Sequence, residues 1–329
     1  MDALKRFLTL ILILLLIMCA GCGDKDKQIV LTTGFGEDEI FRLEGEICTR
    51  QELLVYMMNL HGQYDAIFGE GIWDTEISGM PLEDHIKRTA IARLYKLKMM
   101  KLLAASYQVE LDKKEEELAK EAAKEFMSDL SAAEMAGAGG LKQNMVQNMY
   151  AEYRIAEKLY HKLIENVNPE ISDDEARTIT VRQVYASKRS DLEELLARME
   201  EGEDYDTLSF AYNEKDDYVI SFPKGKMDKA VEDVCFSLAE GEVSGIVEAD
   251  GGYYLFRCIS TYDREETDRS KQDILRKRQK EAFSQVYDAF SKGKECYLNE
   301  KLLDETISGD ISSGSVDFFD VYEKYFKDL

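Results

Sequence analysis

Histidine is nearly absent: the 329 residues hold three, His61, His85 and His161, and none follows His161. They stand at unrelated spacings, which speaks against a metal site and leaves helix-face or capping roles. No metal and no cofactor are expected. Positive charge is also short, with 42 Lys and Arg against 65 Asp and Glu and a net charge of −23. Phosphate binding needs clustered cations, so nucleic acid is excluded as a partner. Such acidity keeps a chain soluble and off anionic lipid headgroups. Cysteine pairs are missing as well. Cys48, Cys235, Cys258 and Cys296 lie far apart without any CxxC, which signals neither a zinc site nor a redox pair. Buried free thiols are the simpler reading, and a Cys235–Cys258 bridge is the alternative.

Long apolar runs are confined to the start of the chain. Residues 7–18, FLTLILILLLIM, follow Lys5 and Arg6 and are too short to span a bilayer comfortably before a small-residue site. They read as an export signal. The run ends Cys19-Ala20-Gly21-Cys22, which resembles a bacterial lipobox and implies lipidation at Cys22, although Cys19 stands where that motif usually has leucine. An uncleaved anchor helix is the other reading. Both place the body of the protein at the extracytoplasmic face of the cell membrane. The signal is taken as residues 1–22 and the polar GDKDKQ tether as residues 23–28.

Residues 29–48 alternate as short strands, and Thr49 caps a helix with Glu52 as its capping-box partner. Leu53, Leu54, Met57, Met58 and His61 give that helix one buried stripe. A loop with Gly69, Gly71 and Trp73 leads past Pro81 to a long helix carrying Ile86, Ala90, Leu94, Leu97 and Met100 at helical spacing. Further helices are expected over residues 112–130 and 141–167, the latter stopped by Asn168-Pro169. Residues 178–261 change period. TITVRQVYA alternates as a strand, two short helices follow, VISF and SGIVEA are short strands, and KAVEDVCFSLAEGE is a helix ending at Gly241. In GGYYLFRC, Tyr254, Phe256 and Cys258 fall on one face of a strand, with Tyr253, Leu255 and Arg257 on the other. A last long helix is expected over residues 268–303, followed by SGDISSGS and an aromatic, acidic tail. The charge runs KKEEE and RKRQK are solvated helix faces. Met57, Met58, Met99, Met100, Met127, Met145 and Met149 have two readings, ordinary core or an adaptable apolar binding surface. The expected fold class is α+β: a mainly helical body with one α+β domain inserted between long helices.

The blocks of that inserted domain carry a resemblance. Gly202, Asp204, Tyr205 and Leu208, then Phe222, Gly225 and Met227, then Phe236, Leu238, Gly241, Glu242, Val243, Ser244 and Val247, then Gly252, Tyr253 and Leu255 follow one another in order and spacing. With the lipobox, the GEICTRQEL start and the ISDDEAR lead-in, this pattern resembles the secreted parvulin-type peptidyl-prolyl isomerases and the PrsA/SurA-like foldase lipoproteins. The resemblance implies an N-terminal helical chaperone domain over residues 29–175 and a parvulin-like domain over 176–264. A C-terminal helix over 265–306 would join the chaperone domain, and residues 307–329 would form the tail.

It also implies a site. The family has two hydrogen-bonded histidines on neighbouring central strands behind the prolyl peptide, and here Gln183 and Tyr254 stand at those positions. The catalytic pair is thus replaced, with amide and phenol placed to bond to each other instead. The family's third polar position, a Cys or Asp, falls near Lys215 or Asp216. Phe222, Met227 and Val231 would form the peptide-binding floor. Isomerisation breaks no covalent bond over its barrier of ~18–20 kcal/mol, so desolvation and twisting of the amide are a route that needs no acid or base. The implied function is a membrane-anchored extracytoplasmic foldase and chaperone with weak or lost isomerase activity. Whether it is an enzyme stays open. The alternatives are an active isomerase with an apolar, histidine-free site, and a surface lipoprotein adaptor with one fixed partner. The expected partners are unfolded or nascent exported proteins and, through the lipid, the membrane; a homodimer stays open.

Overall fold

The computed structural model describes residues 34–306 and 316–329. The signal, Cys22 and the tether lie outside the described residues. The chain divides into two units, one made of residues up to Glu165 and from Phe283 onward, the other of Asn166–Ala282.

The first unit begins with an antiparallel hairpin of β1 (Glu39–Leu43) and β2 (Glu46–Thr49). The expected capping box then starts α1 (Arg50–Phe68): the Thr49 amide donates to Glu52 Oε2 at 2.7 Å, and the Glu52 amide donates to Thr49 Oγ1 at 3.3 Å. A small hairpin of β3 (Glu76–Ile77) and β4 (Met80–Pro81) precedes α2 (Leu82–Ser106). Three helices follow, α3 (Lys113–Asp129), α4 (Ala132–Gly137) and α5 (Gln143–Ile164). The predicted stripes of α1 and α2 are buried in one helical core. Met57, Met58, Met99, Met100 and Met149 are buried there too, and Met127 and Met145 pack against it, so the methionines are core rather than an exposed binding surface.

A buried cation in this core is paired with two carboxylates. Lys98, 3% exposed, donates to Glu52 at 2.6 Å and to Glu152 at 2.7 Å. Burial alone would lower the Lys98 ammonium, but the two carboxylates outweigh it and raise it. His61 stacks on Trp73, ring centroids 3.8 Å apart, and its Nε2 lies 3.1 Å from Glu83.

The second unit contains α6 (Asp173–Ala176), β5 (Thr178–Ala186), α7 (Arg189–Glu200), α8 (Tyr205–Tyr212), β6 (Val219–Pro223), α9 (Lys229–Cys235), β7 (Val247–Ala249) and β8 (Gly252–Ser260). Its antiparallel sheet has the order β6-β5-β8-β7. Helix α9 ends at Cys235, short of the expected Gly241, because residues from Val243 onward run beside β8 instead: the Ser244 amide donates to Phe256 O, the Phe256 amide donates to Ser244 Oγ, and Val243 bridges Arg257. Helix α10 (Arg264–Ser291) follows, with Thr267 Oγ1 accepting from the Thr178 amide at 3.1 Å.

Two expectations fail beyond this point. The helix predicted to reach residue 303 stops at Ser291; Gly293 takes the left-handed conformation, φ 79°, and β9 (Cys296–Leu298) pairs with β1. Pairing with an open sheet edge outweighs the local helical pattern. A short α11 (Glu300–Glu305) follows. The acidic, aromatic tail is not a tail where it is described: α12 (Phe318–Phe326) is buried in the helical core.

Candidate functional site

The family-like blocks explain the second unit locally. Gly202 holds φ 97° after α7, a conformation other residues resist, and Asp204 then caps α8 by accepting from the Thr207 amide at 3.0 Å. Tyr205 is buried beneath, its hydroxyl donating to Arg182 O at 3.2 Å. Strand alternation divides the sheet into two faces. Val184, Leu192, Leu195, Tyr205, Leu208 and Leu255 pack on one. Ile179, Val181, Phe222, Val231, Cys235, Tyr254, Phe256 and Cys258 pack on the other, as the reading of GGYYLFRC requires. Cys235 and Cys258 are free, buried thiols, and burial pushes Cys235 up to about 12.

Each predicted site residue belongs to this second face. Phe222 and Val231 are buried at 4% and 2% exposure, Met227 packs at the margin, and Tyr254 is 4% exposed. The Tyr254 ring lies parallel to Phe256, 5.7 Å away. Gln183 sits opposite Phe256 on β5, while Tyr254 sits opposite Tyr185.

Gln183 and Tyr254 do not bond to each other. Both reach the segment between α8 and β6 instead. Gln183 Nε2 donates to Asp217 O at 2.6 Å, and its backbone amide donates to Tyr218 O at 2.7 Å. The Tyr254 hydroxyl accepts from Lys215 Nζ at 2.6 Å. The same segment is held to β5 by Asn213, whose Oδ1 accepts from the Tyr185 amide at 2.8 Å, and by the Glu214 amide, which donates to Tyr185 O at 2.9 Å. Of the two candidates for the third polar position, Lys215 is the one that enters the site.

Lys215 is otherwise solvent-exposed, with its ammonium 4.2 Å from the ring centre of Tyr185 and 4.9 Å from that of Tyr254. The hydrogen bond with Tyr254 raises its pKa. Tyr185 is placed by close approach to Gly252: a Cβ at that glycine would lie 2.3 Å from Tyr185 Cε2. Sequence reasoning left Tyr185 out. The available signal was its position two residues after Gln183, on the same face of the strand. The site therefore offers an ammonium donor, two tyrosine faces and an apolar floor, and no imidazole.

Residues 155–271 match the family model of the PPIC-type PPIase domain. Over 261 residues the chain is 22% identical to the foldase protein PrsA of Caldanaerobacter subterraneus subsp. tengcongensis, covering 77% of this chain and 81% of that protein. Over 240 residues it is 23% identical to the foldase protein PrsA 3 of Bacillus cereus, covering 70% and 80%. The crystal structure of a peptidylprolyl isomerase (PrsA) from Bacillus cereus aligns with 74% of this chain and 91% of that one, at 16% identity and a TM-score of 0.37. The inserted α+β unit is a parvulin-type domain. Beyond that domain, the similarity to the PrsA foldases runs along most of the chain.

Proposed function

We propose that the chain is a membrane-anchored, extracytoplasmic foldase that holds exported proteins while they fold, and that its isomerase activity is weak or lost. The observation that carries the second half is the use of Gln183 and Tyr254: both side chains bond to residues 215–217 rather than to each other. A general acid or base is missing from the strand positions where the family has histidines. Burial of Phe222, Val231 and Tyr254 adds to this, because a proline ring reaches such a floor only after something moves.

Client holding is supported by apolar side chains left in solvent on the helical unit. Ile67 and Phe68, at the end of α1, are 59% and 61% exposed. Exposed apolar surface of this kind suits weak, sequence-tolerant contact with unfolded chains. Anchoring is supported by the export-signal pattern and Cys22. Among the described residues no helix is long and apolar enough to cross a membrane.

The test is suppression of client aggregation by the full chain and by its Ile67→Asp/Phe68→Asp variant, alongside fractionation of the Cys22→Ala variant. The double variant should hold clients less well while unfolding at an unchanged temperature, and Cys22→Ala should leave the membrane or stay unprocessed. Undiminished holding by the double variant would remove the apolar end of α1 from the account. Lipidation at Cys19 would reverse the anchor assignment.

A further inference from the structure

We infer that Lys215 is the residue that grips the carbonyl oxygen of a bound prolyl peptide, and that this grip favours holding the peptide over isomerising it. The inference rests on the reading of the second unit as a prolyl-peptide site. A lysine ammonium has three protons to donate. One goes to the Tyr254 hydroxyl at 2.6 Å, and the face of Tyr185 lies 4.2 Å from the nitrogen. The side chain is solvent-exposed, so donor capacity remains toward solvent beside the two tyrosine faces. A long side chain that would otherwise sample many rotamers is thereby held at one place, which reduces the entropy lost on binding.

The ligand it suits is a neutral dipole. Asp250 acts on its charge, so an anionic ligand would meet a carboxylate beside the ammonium. A peptide carbonyl oxygen carries partial negative charge without that penalty.

The consequence for rate follows from amide resonance. In the planar amide, resonance places negative charge on oxygen; rotation about the C–N bond breaks the resonance and returns that charge to nitrogen. A cation at the oxygen therefore stabilises the planar ground state more than the twisted transition state. Only contacts that strengthen in the transition state accelerate a reaction. Lys215 thus adds affinity and withholds catalysis.

The test uses the full chain, the tetrapeptide Ala-Ala-Pro-Phe, and NMR to read both affinity and the cis–trans exchange rate of saturating bound peptide. Lys215→Met should weaken binding about tenfold, the scale of one hydrogen bond to a charged group, and should raise the exchange rate of what remains bound. Lys215→Arg should keep most of the affinity. Tyr254→Phe, which removes the phenol that positions the ammonium and keeps the ring, should fall between. Unchanged affinity in Lys215→Met overturns the inference and leaves the prolyl-site reading standing. Affinity and exchange rate lost together would assign Lys215 a structural or catalytic role and overturn it too. A wild-type chain that does not bind the peptide overturns both readings.

Discussion

The rings of Tyr150 and Phe318 lie parallel, 4.1 Å between centroids, and the Tyr150 hydroxyl donates to Phe318 O across a sequence separation of 168 residues. Phe318 is further held by its amide, which donates to Asn59 Oδ1 at 2.6 Å, and it meets Phe126 edge-on at 5.6 Å. Helix α12 is thus a structural part of the first unit. Phe318→Ala should destabilise that unit by about 3–5 kcal/mol, read as a shift in urea midpoint. A double-mutant cycle with Tyr150→Leu should show a coupling of about 0.5–1.5 kcal/mol. Additive losses would mean the stacking carries no energy of its own.

Lys98 neutralises two buried carboxylates at once. Its replacement by Met leaves Glu52 without a cation and Glu152 with Lys101 alone, 3.0 Å away, and should cost about 3–5 kcal/mol. Adding Glu52→Gln and Glu152→Gln to that variant should recover much of the loss, because no uncompensated charge then stays buried. Stability of Lys98→Met equal to wild type would show that the triad is solvated in solution.

The pH dependence of the first unit should have two components of opposite sign. Burial pushes Glu115 up, but Lys158, the Asp112 amide and Arg154 outweigh it and hold the carboxyl below its ordinary value. Its contribution to stability is complete above the unfolded value and is lost as pH falls through the folded one. Burial raises Asp317. Its contribution is largest in acid and declines as pH rises through its folded value. Glu115→Gln should lower stability at neutral pH and flatten the acid limb of a urea-denaturation series. Asp317→Asn should remove the decline seen on leaving acid. Parallel profiles for wild type and either variant would contradict the assignment.

Gly252→Ala should disturb the second unit alone, since a Cβ there would lie 2.3 Å from Tyr185 Cε2 and 2.6 Å from its hydroxyl. Overpacking of this kind costs about 1–3 kcal/mol. Displacement of Tyr185 should also loosen Lys215, visible as changed NMR shifts for Lys215 and Tyr254. Tyr185→Ala in the same chain should relieve the clash. An unperturbed Tyr254 in Gly252→Ala would show that the ring gives way without moving the ammonium.

What was legible in the sequence was local. The Thr49 and Glu52 box, the Gly202-Xaa-Asp204-Tyr205 turn into α8 and the two faces of GGYYLFRC each depend on residues a few positions apart, so their patterns announce them. Helix α12 and strand β9 owe their places to partners far along the chain, Tyr150 in one case and Phe41 in the other. The same distance hid the chemistry of the site. The family resemblance singles out Gln183 and Tyr254, but their partners lie on a connecting segment. A lysine there has no periodicity to mark that its end reaches Tyr254.

The central claim, holding without efficient isomerisation, is tested most directly by refolding a protein whose slow phase is limited by a proline, in the presence of the full chain. The account predicts that aggregation is suppressed in proportion to the amount of chain added, while the slow phase keeps its rate. Gln183→His/Tyr254→His should then speed that phase. Strong acceleration by catalytic amounts of the wild-type chain, abolished by Phe222→Ala or Met227→Ala, would contradict the account and show that an apolar clamp without histidines suffices.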